Sequence, residues 1–541
     1  MMDRIRFGGL SSGIDTHDMV DQMMRVERMR VDRFHQRSQT IQWRQEAAHE
    51  TNKKVAQFIL DRRQSFGLNQ VSYSGQIRAS DVNRFDWIKS AQSSNESAVH
   101  ARANANAIEG NHTVKVNQRA EVGTLTSQSM KDITSEDGRT FQFNDGETQK
   151  TLTMQVGDTT KEFTVKNGDN VANLAAQIRS STDGDGNSLG LNASYDANFG
   201  RMMITTRETG GDQSFIIQNE GLGTEMFNFI DPDTGEDLTE INRTGQDAEI
   251  LFNDETITHH SNDITIFGIQ LNLQAGVEVG DVSNINVSTD TDGMVEKITE
   301  FVTEYNQLID DVNAQLKAEE YRDYKPLTDD QKQAMSETEV EQWEERAKSG
   351  LLRNDESLSR MLQNLRVSMY EKVEGTAGAF NQITQLGITT GNYQDGGKLV
   401  IDEDKLRSAI NEDAEGVVNM FFKTSNASDP AERRSESGLF QRMSDEMVTG
   451  MQDSVRRLGV GEHADTLRSV QGNMLIEFVT KNSGLSVSDR DIMSIDQRIS
   501  REEQALMRRE EQLWAQFTAM EKAMGEMNNQ ADWLQQQMMQ F

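Results

Sequence analysis

Residues 489–541 carry no proline, a single glycine (Gly525) and a high density of Ala, Leu, Met, Glu, Gln, Lys and Arg, so one long helix is the lowest-cost conformation open to them. Ser488, with Asp491 three residues on, supplies an N-terminal cap. Apolar residues step by three and four along one face: Ile492, Ile495, Ile499, Leu506, Leu513, Phe517, Met520, Met524, Met527, Ala531, Leu534, Met538 and Phe541. At about 1.5 Å per residue this helix is on the order of 80 Å long, more than a compact domain buries. A one-sided stripe of that length requires a partner helix.

The other end of the chain offers one. After Gly8, Gly9 and Gly13, Asp15 caps a helix that runs to about Phe66, with a seam of Val20, Met24, Val31, Phe34, Ile41, Ala48, Val55 and Ile59. Glu27, Ser38, Gln45 and Asn52 occupy intervening seam positions, where polar residues weaken a coil and set its register. The expected fold class is multidomain α+β: the N- and C-terminal helices pair as an antiparallel coiled coil, a largely helical central body follows, and a β-rich outer region is inserted into it. The alternative is that each terminal helix packs on its own neighbouring domain.

Between the ends, period-two alternation begins after Gly110: HTVKVNQ, FQFND, TLTMQVG and EFTVKNG read as strands separated by Asn-Asp-Gly and Asn-Gly turns. A short helix over 170–181 and strands LNASYD and RMMITTRE follow. Residues 291–318 return to a helical period with a broad apolar face, and further helices are expected over 337–348, 355–373, 403–421 and 436–458, with a small strand pair around LGITT and GKLVID. The expected organisation is a coil helix over 1–69, a mainly helical body from 70–106 and 286–485, a β-rich insertion of two subdomains over 107–285, and a second coil helix over 486–541.

Composition narrows the function. Lys and Arg number 55 against 88 Asp and Glu, a net charge of −33, which repels nucleic acid and anionic lipid. No stretch approaches the ~20 apolar residues of a membrane span, and the first residues lack the apolar segment of a signal peptide. With no cysteine, disulfides, thiolate metal sites and thiol nucleophiles are excluded together, and the chain can be exported unfolded without reduction. Mean hydropathy of −0.69 requires extensive solvated surface, as in an elongated molecule.

No constellation argues for catalysis, a cofactor or a metal. GLSSG (9–13) matches the nucleophile-elbow pattern around Ser11 but has no preceding strand. DGDGNS (183–188) imitates a calcium loop, yet Ser188 and Ser194 stand where Gly and Glu belong. GGK at 396–398 lacks the rest of a phosphate loop. His259 and His260 lie on a strand-like run and are expected to point to opposite faces.

Six segments in order resemble the flagellar filament-capping family, hook-associated protein 2. They are residues 9–27 with Gly13, Ile14, Asp15, Val20 and Glu27; residues 110–120; NGDNVANLAAQI (167–178) with LNASYD and RMMITT; residues 245–273 with Asp247, Ala248, Ser261, Asn262 and Gly268; residues 386–406; and residues 516–534. Residues 121–170 and 208–245 carry none of that family's patterns. The resemblance implies a secreted, extracellular cap at the flagellar filament tip, a homo-oligomeric ring of about five or six copies. It also implies that flagellin, the junction hook-associated protein, an export chaperone and the flagellar type III export apparatus are partners. A hook–filament junction protein or a surface adhesin is the alternative, a flagellin less so, and an enzyme least.

Overall fold

The computed structural model describes residues 15–71, 77–79, 85–376, 378–391, 396–425, 427–459 and 485–538. Gly8, Gly9, Ser11, Gly13 and Phe541 lie outside them. The chain divides into two compact units, Met1–Arg78 with Met294–Phe541, and Ala79–Gly293.

Helix α1 (Thr16–Ser65) opens where Asp15 accepts hydrogen bonds from the backbone amides of His17 and Asp18, both 3.1 Å, satisfying two donors of the first turn. Its buried positions include Val20, Met24, Val31, Ser38, Gln45, Asn52 and Ile59, one residue in seven from Met24 onward. Strands β1 (Asn69–Val71) and β2 (Ile77–Ala79) form a two-stranded sheet after it.

In the second unit β3 (Lys89–Ser93), β4 (Val99–Ala103), β5 (Gly110–Gln118) and β6 (Thr124–Thr126) precede the hairpin β7 (Gln149–Val156) and β8 (Thr159–Lys166). Helix α2 (Val171–Arg179), capped by the Asn170 side chain on Ala172, leads to β9 (Leu191–Asp196), β10 (Arg201–Thr206), β11 (Ser214–Gln218), helix α3 (Leu222–Met226) and β12 (Glu240–Thr244). β13 (Ala248–Phe252), β14 (Glu255–His259), β15 (Asp263–Ile266), β16 (Ile269–Leu273) and β17 (Val282–Thr289) complete it. The sheet β14-β13-β5-β17-β3 and the sheet β15-β16-β4 enclose one core, containing Val114, Val116, Ile250, Ile264, Leu271 and Ile285. The sheets β12-β11-β7-β8 and β6-β10-β9, with α2, enclose another around Met130, Phe141, Leu152, Leu174, Ile204 and Phe215. Period-two burial, as in β5 where His112, Val114 and Val116 turn inward, explains why these segments fold as half-buried strands.

The structure corrects two expectations here. Residues 89–106 do not join the helical body, because β3 pairs with β17 and β4 with β16. His259 and His260 do not point apart: β14 ends at His259, the chain bends, and the two rings stack with centroids 4.3 Å apart. Among the described residues, no group of three or more His, Asp or Glu side chains is placed to hold a metal ion.

In the first unit α4 (Thr291–Lys317), α5 (Asp329–Gln333), α6 (Glu337–Lys348) and α7 (Glu356–Tyr370) are followed by the hairpin β18 (Ile388–Thr390) and β19 (Leu399–Ile401). Helices α8 (Glu403–Phe422), α9 (Pro430–Glu436), α10 (Leu439–Leu458) and α11 (Val487–Met538) follow. Phe58, Phe66, Phe301, Tyr305, Phe421, Phe422 and Phe440 form a nucleus with neighbouring centroids 4.7–6.5 Å apart. Each such ring pair adds about 0.5–1.5 kcal/mol beyond burial alone. Beside it Arg442, 2% exposed, donates to the carbonyls of Ser437, Glu371, Lys372 and Ser435, so backbone acceptors take the place of water around the buried cation.

Candidate assembly surface on the terminal helices

α1 changes partner along its length. Val20 and Met24 pack with Leu513, with Leu506, Trp514 and Phe517 at the margin of the cluster. Val31 packs with Ile495 and Ile499, with Phe34, Ile41 and Leu506 beside them. Rising numbers on α1 thus meet falling numbers on α11, so the two helices run antiparallel here. His17 meets the Trp514 ring edge-on at 5.3 Å, and Arg30 lies 3.9 Å from Glu502 across the seam.

Beyond Ile41 the same face of α1 turns to the body. Gln45, buried, donates its amide to the carbonyl of Leu458 at the end of α10 and to Asp489 in the first turn of α11, 2.5 and 2.8 Å. Asn52 donates to Ser454 Oγ of α10 at 3.3 Å, and Arg62 donates to Glu300 and Glu304 of α4 at 3.0 and 2.8 Å. The Arg62 hydrogen bond holds the Glu300 carboxyl below its ordinary pKa. Val55 and Ile59 are fully buried among these contacts. They therefore belong to the body and not to a seam with α11, and the polar seam residues Gln45 and Asn52 are anchors there. Glu27 is solvent-exposed.

On α11 the expected cap at Ser488 is displaced two residues. Ser486 and Asp489 cap it reciprocally, each side chain accepting from the other's backbone amide at 3.0 Å. Ile495, Ile499 and Leu513 are buried, Leu506, Phe517 and Met524 half-buried, and Met520, Met527 and Leu534 exposed. These last three lie past the level at which α1 begins, Thr16 standing opposite the Phe517 region. About 30 Å of α11 continues beyond that level with no helix alongside it among the described residues. Sequence reading also missed a second apolar stripe on α1, Met19, Met23, Val26 and Met29, all at least 40% exposed. Its three- and four-residue steps were a visible signal, hidden behind the neighbouring seam.

The second unit shows what the most specific sequence segment does. Asn262 takes and returns a hydrogen bond with the backbone of Ala120, both 2.9 Å, in the manner of a strand partner. Asp247 accepts from the Gly211 amide at 2.7 Å, and Gly245 lies so close to the chain that a Cβ would sit 2.5 Å from the Gly210 oxygen and 2.6 Å from that of Glu121. These residues tie the crossings between the two β cores. They are architectural, and residues this constrained mark a shared fold.

Family comparison agrees with that. The flagellar hook-associated protein 2 C-terminus matches residues 245–529, and the corresponding N-terminus matches residues 12–122. The chain belongs to the flagellar hook-associated protein 2 family. A flagellar hook-associated protein 2 of Halalkalibacterium halodurans is 30% identical over 98% of this chain and 99% of its own length. Another, from Thermotoga maritima, is 26% identical over 64% of this chain and 49% of its own. The D1-D2-D3 domains of the Escherichia coli flagellar cap protein are similar at 21% identity, with a TM-score of 0.49, over 74% of this chain and 95% of theirs. Hook-associated protein 2 is a structural family and not an enzyme family.

Proposed function

We propose that this chain caps the growing flagellar filament, where copies of it assemble as a ring and retain exported flagellin so that each subunit folds and inserts beneath. The observation that carries this is the relationship to the Halalkalibacterium halodurans hook-associated protein 2, which extends over both chains almost end to end and so includes the terminal helices as well as the β unit. In this reading α1 and α11 form an antiparallel coiled-coil leg, rooted by Gln45, Asn52 and Arg62 in the helical body. Residues 15–41 of α1 with 495–517 of α11 are the exchangeable part of the leg. The β unit contributes the plate.

By family resemblance the ring holds about five or six copies, closed by cyclic symmetry. It meets flagellin below, follows the junction hook-associated protein in assembly, and reaches the extracellular filament tip through the flagellar type III export apparatus with a chaperone. Complementation tests this. A cap-deleted strain of the native host supplied with this chain regains filaments visible by electron microscopy and stops releasing flagellin into the medium. Continued release, with the chain secreted and intact, overturns the capping role.

A further inference from the structure

A cavity of about 810 Å³ opens between α1 and the segment joining α4 to α7. Its lining holds four cations, Arg44, Arg322, Lys325 and Arg353, against a single carboxylate, Glu320, in a chain whose net charge is −33. Glu320 is occupied by Arg322 at 3.7 Å. Neither Lys325 nor Arg353 has an ion-pair or side-chain hydrogen-bond partner among the described residues. Arg44 uses Nη2 on Asp355 at 3.1 Å, while its Nε meets no acceptor. The rings of Tyr321 and Tyr324 stand edge to face on the wall, 6.1 Å apart.

The backbone that carries these cations is held in place before any ligand arrives. Gln36 of α1 donates to the Pro326 carbonyl at 2.8 Å, and the Trp343 indole of α6 donates to that of Lys325 at 2.8 Å. Ser349 Oγ donates to the Glu319 carbonyl at 2.7 Å, the Asn354 amide donates to that of Leu316 at 3.1 Å, and Asn354 itself takes the left-handed conformation, φ +54°. Unpaired cations on a pre-organised frame recognise anions at low entropic cost, and an Arg fork suits a carboxylate.

We infer that this cavity is a docking site for an acidic peptide segment of a partner protein. Its volume lies at the upper end for ligand sites, about 300–1,000 Å³, and its cations are distributed around it, so several carboxylates match it better than one compact anion. The tyrosine rings supply apolar walls for glutamate stems. Because the rest of the surface repels an acidic partner, the field directs such a segment here. The site borders the root of the leg through Gln36, Thr40 and Arg44 of α1, and it does not depend on the capping role.

The test is fluorescence anisotropy of a labelled hexaglutamate peptide with the full chain at low salt. We expect saturable binding that weakens steeply with salt and falls at least tenfold in the Lys325→Glu, Arg353→Glu double variant. Both side chains lack partners, so an unchanged melting curve accompanies the loss. Hexalysine should not bind there. Binding that is equal in the double variant, or absent in the wild type, overturns the site. Displacement by citrate or inorganic phosphate at the same concentration as unlabelled hexaglutamate overturns the peptide assignment in favour of a small-anion site.

Discussion

Gln45 and Asn52 occupy equivalent heptad positions on α1, yet their surroundings are unequal. Gln45 serves two acceptors, Leu458 O and Asp489, whereas Asn52 makes one long hydrogen bond to Ser454 and leaves its own Oδ1 buried without a partner. Replacing Gln45 by Leu strands a buried carbonyl and an aspartate, a cost of about 1–3 kcal/mol. Asn52→Leu removes an unsatisfied atom as it removes a bond, so urea unfolding should show a clearly smaller loss for it than for Gln45→Leu. Equal losses would mean that the amide bonds are not what anchors α1. Glu300 gives a pH signature. Its folded carboxyl is depressed below the ordinary 4.5 by Arg62, so its stabilisation is complete above that value and is lost as pH falls through the lower folded value. In Glu300→Gln the acid-side decline of the thermal midpoint should be shallower. At the β15–β16 hairpin, Phe267 is 64% exposed with φ +47°, followed by Gly268 at φ +82°. A phenylalanine is strained there, and Phe267→Asn should raise unfolding stability although it gives up the ring contact with Phe252, 6.2 Å between centroids.

Among the elements, α11 has two halves with different surroundings. Up to Phe517 its stripe is covered by α1, and beyond it Met520, Met527 and Leu534 are exposed. Leu513→Ala, in the centre of the first cluster, loses its packing on Val20 and Met24. Hydrogen exchange should quicken over residues 16–31 and 495–517 while protection around Phe301 and Phe440 stays constant. A chain ended after Ala519 removes only the uncovered part. Its melting temperature should match that of the full chain, whereas filament growth in the complementation assay should fail. Normal filaments would show that the uncovered stripe has no part in assembly. The open half is legible in the sequence as a continuous seam with Leu513 and Phe517. Nothing in the residues themselves tells where a partner helix stops.

For the whole molecule the sequence is unusually informative at one level and silent at another. Helix and strand positions followed from periodicity: α6 over 337–348 coincides with its expected span, and β5 buries alternate residues as its pattern requires. The cap of α11 depends on more than residue type, since Ser486 and Ser488 are both competent caps and the neighbouring Asp489 chooses between them. The strands at 89–93 and 99–103 were missed because their side chains are largely small or polar, and what makes them strands is pairing with β17 and β16, which lie far along the chain. The basic cavity was invisible for the same reason, since Arg44, Lys325 and Arg353 lie in three separate segments. The sequence by itself determined the local elements, the long amphipathic ends, the lack of thiol chemistry and the acidic charge, because these depend on residues close in the chain. The tertiary structure alone decided which partner each face of α1 meets, that Gln45 anchors while Glu27 stays in water, and which cations share a cavity. Apolar and amide side chains accept many partners, and the choice among them is settled only when distant segments compete for the same surface.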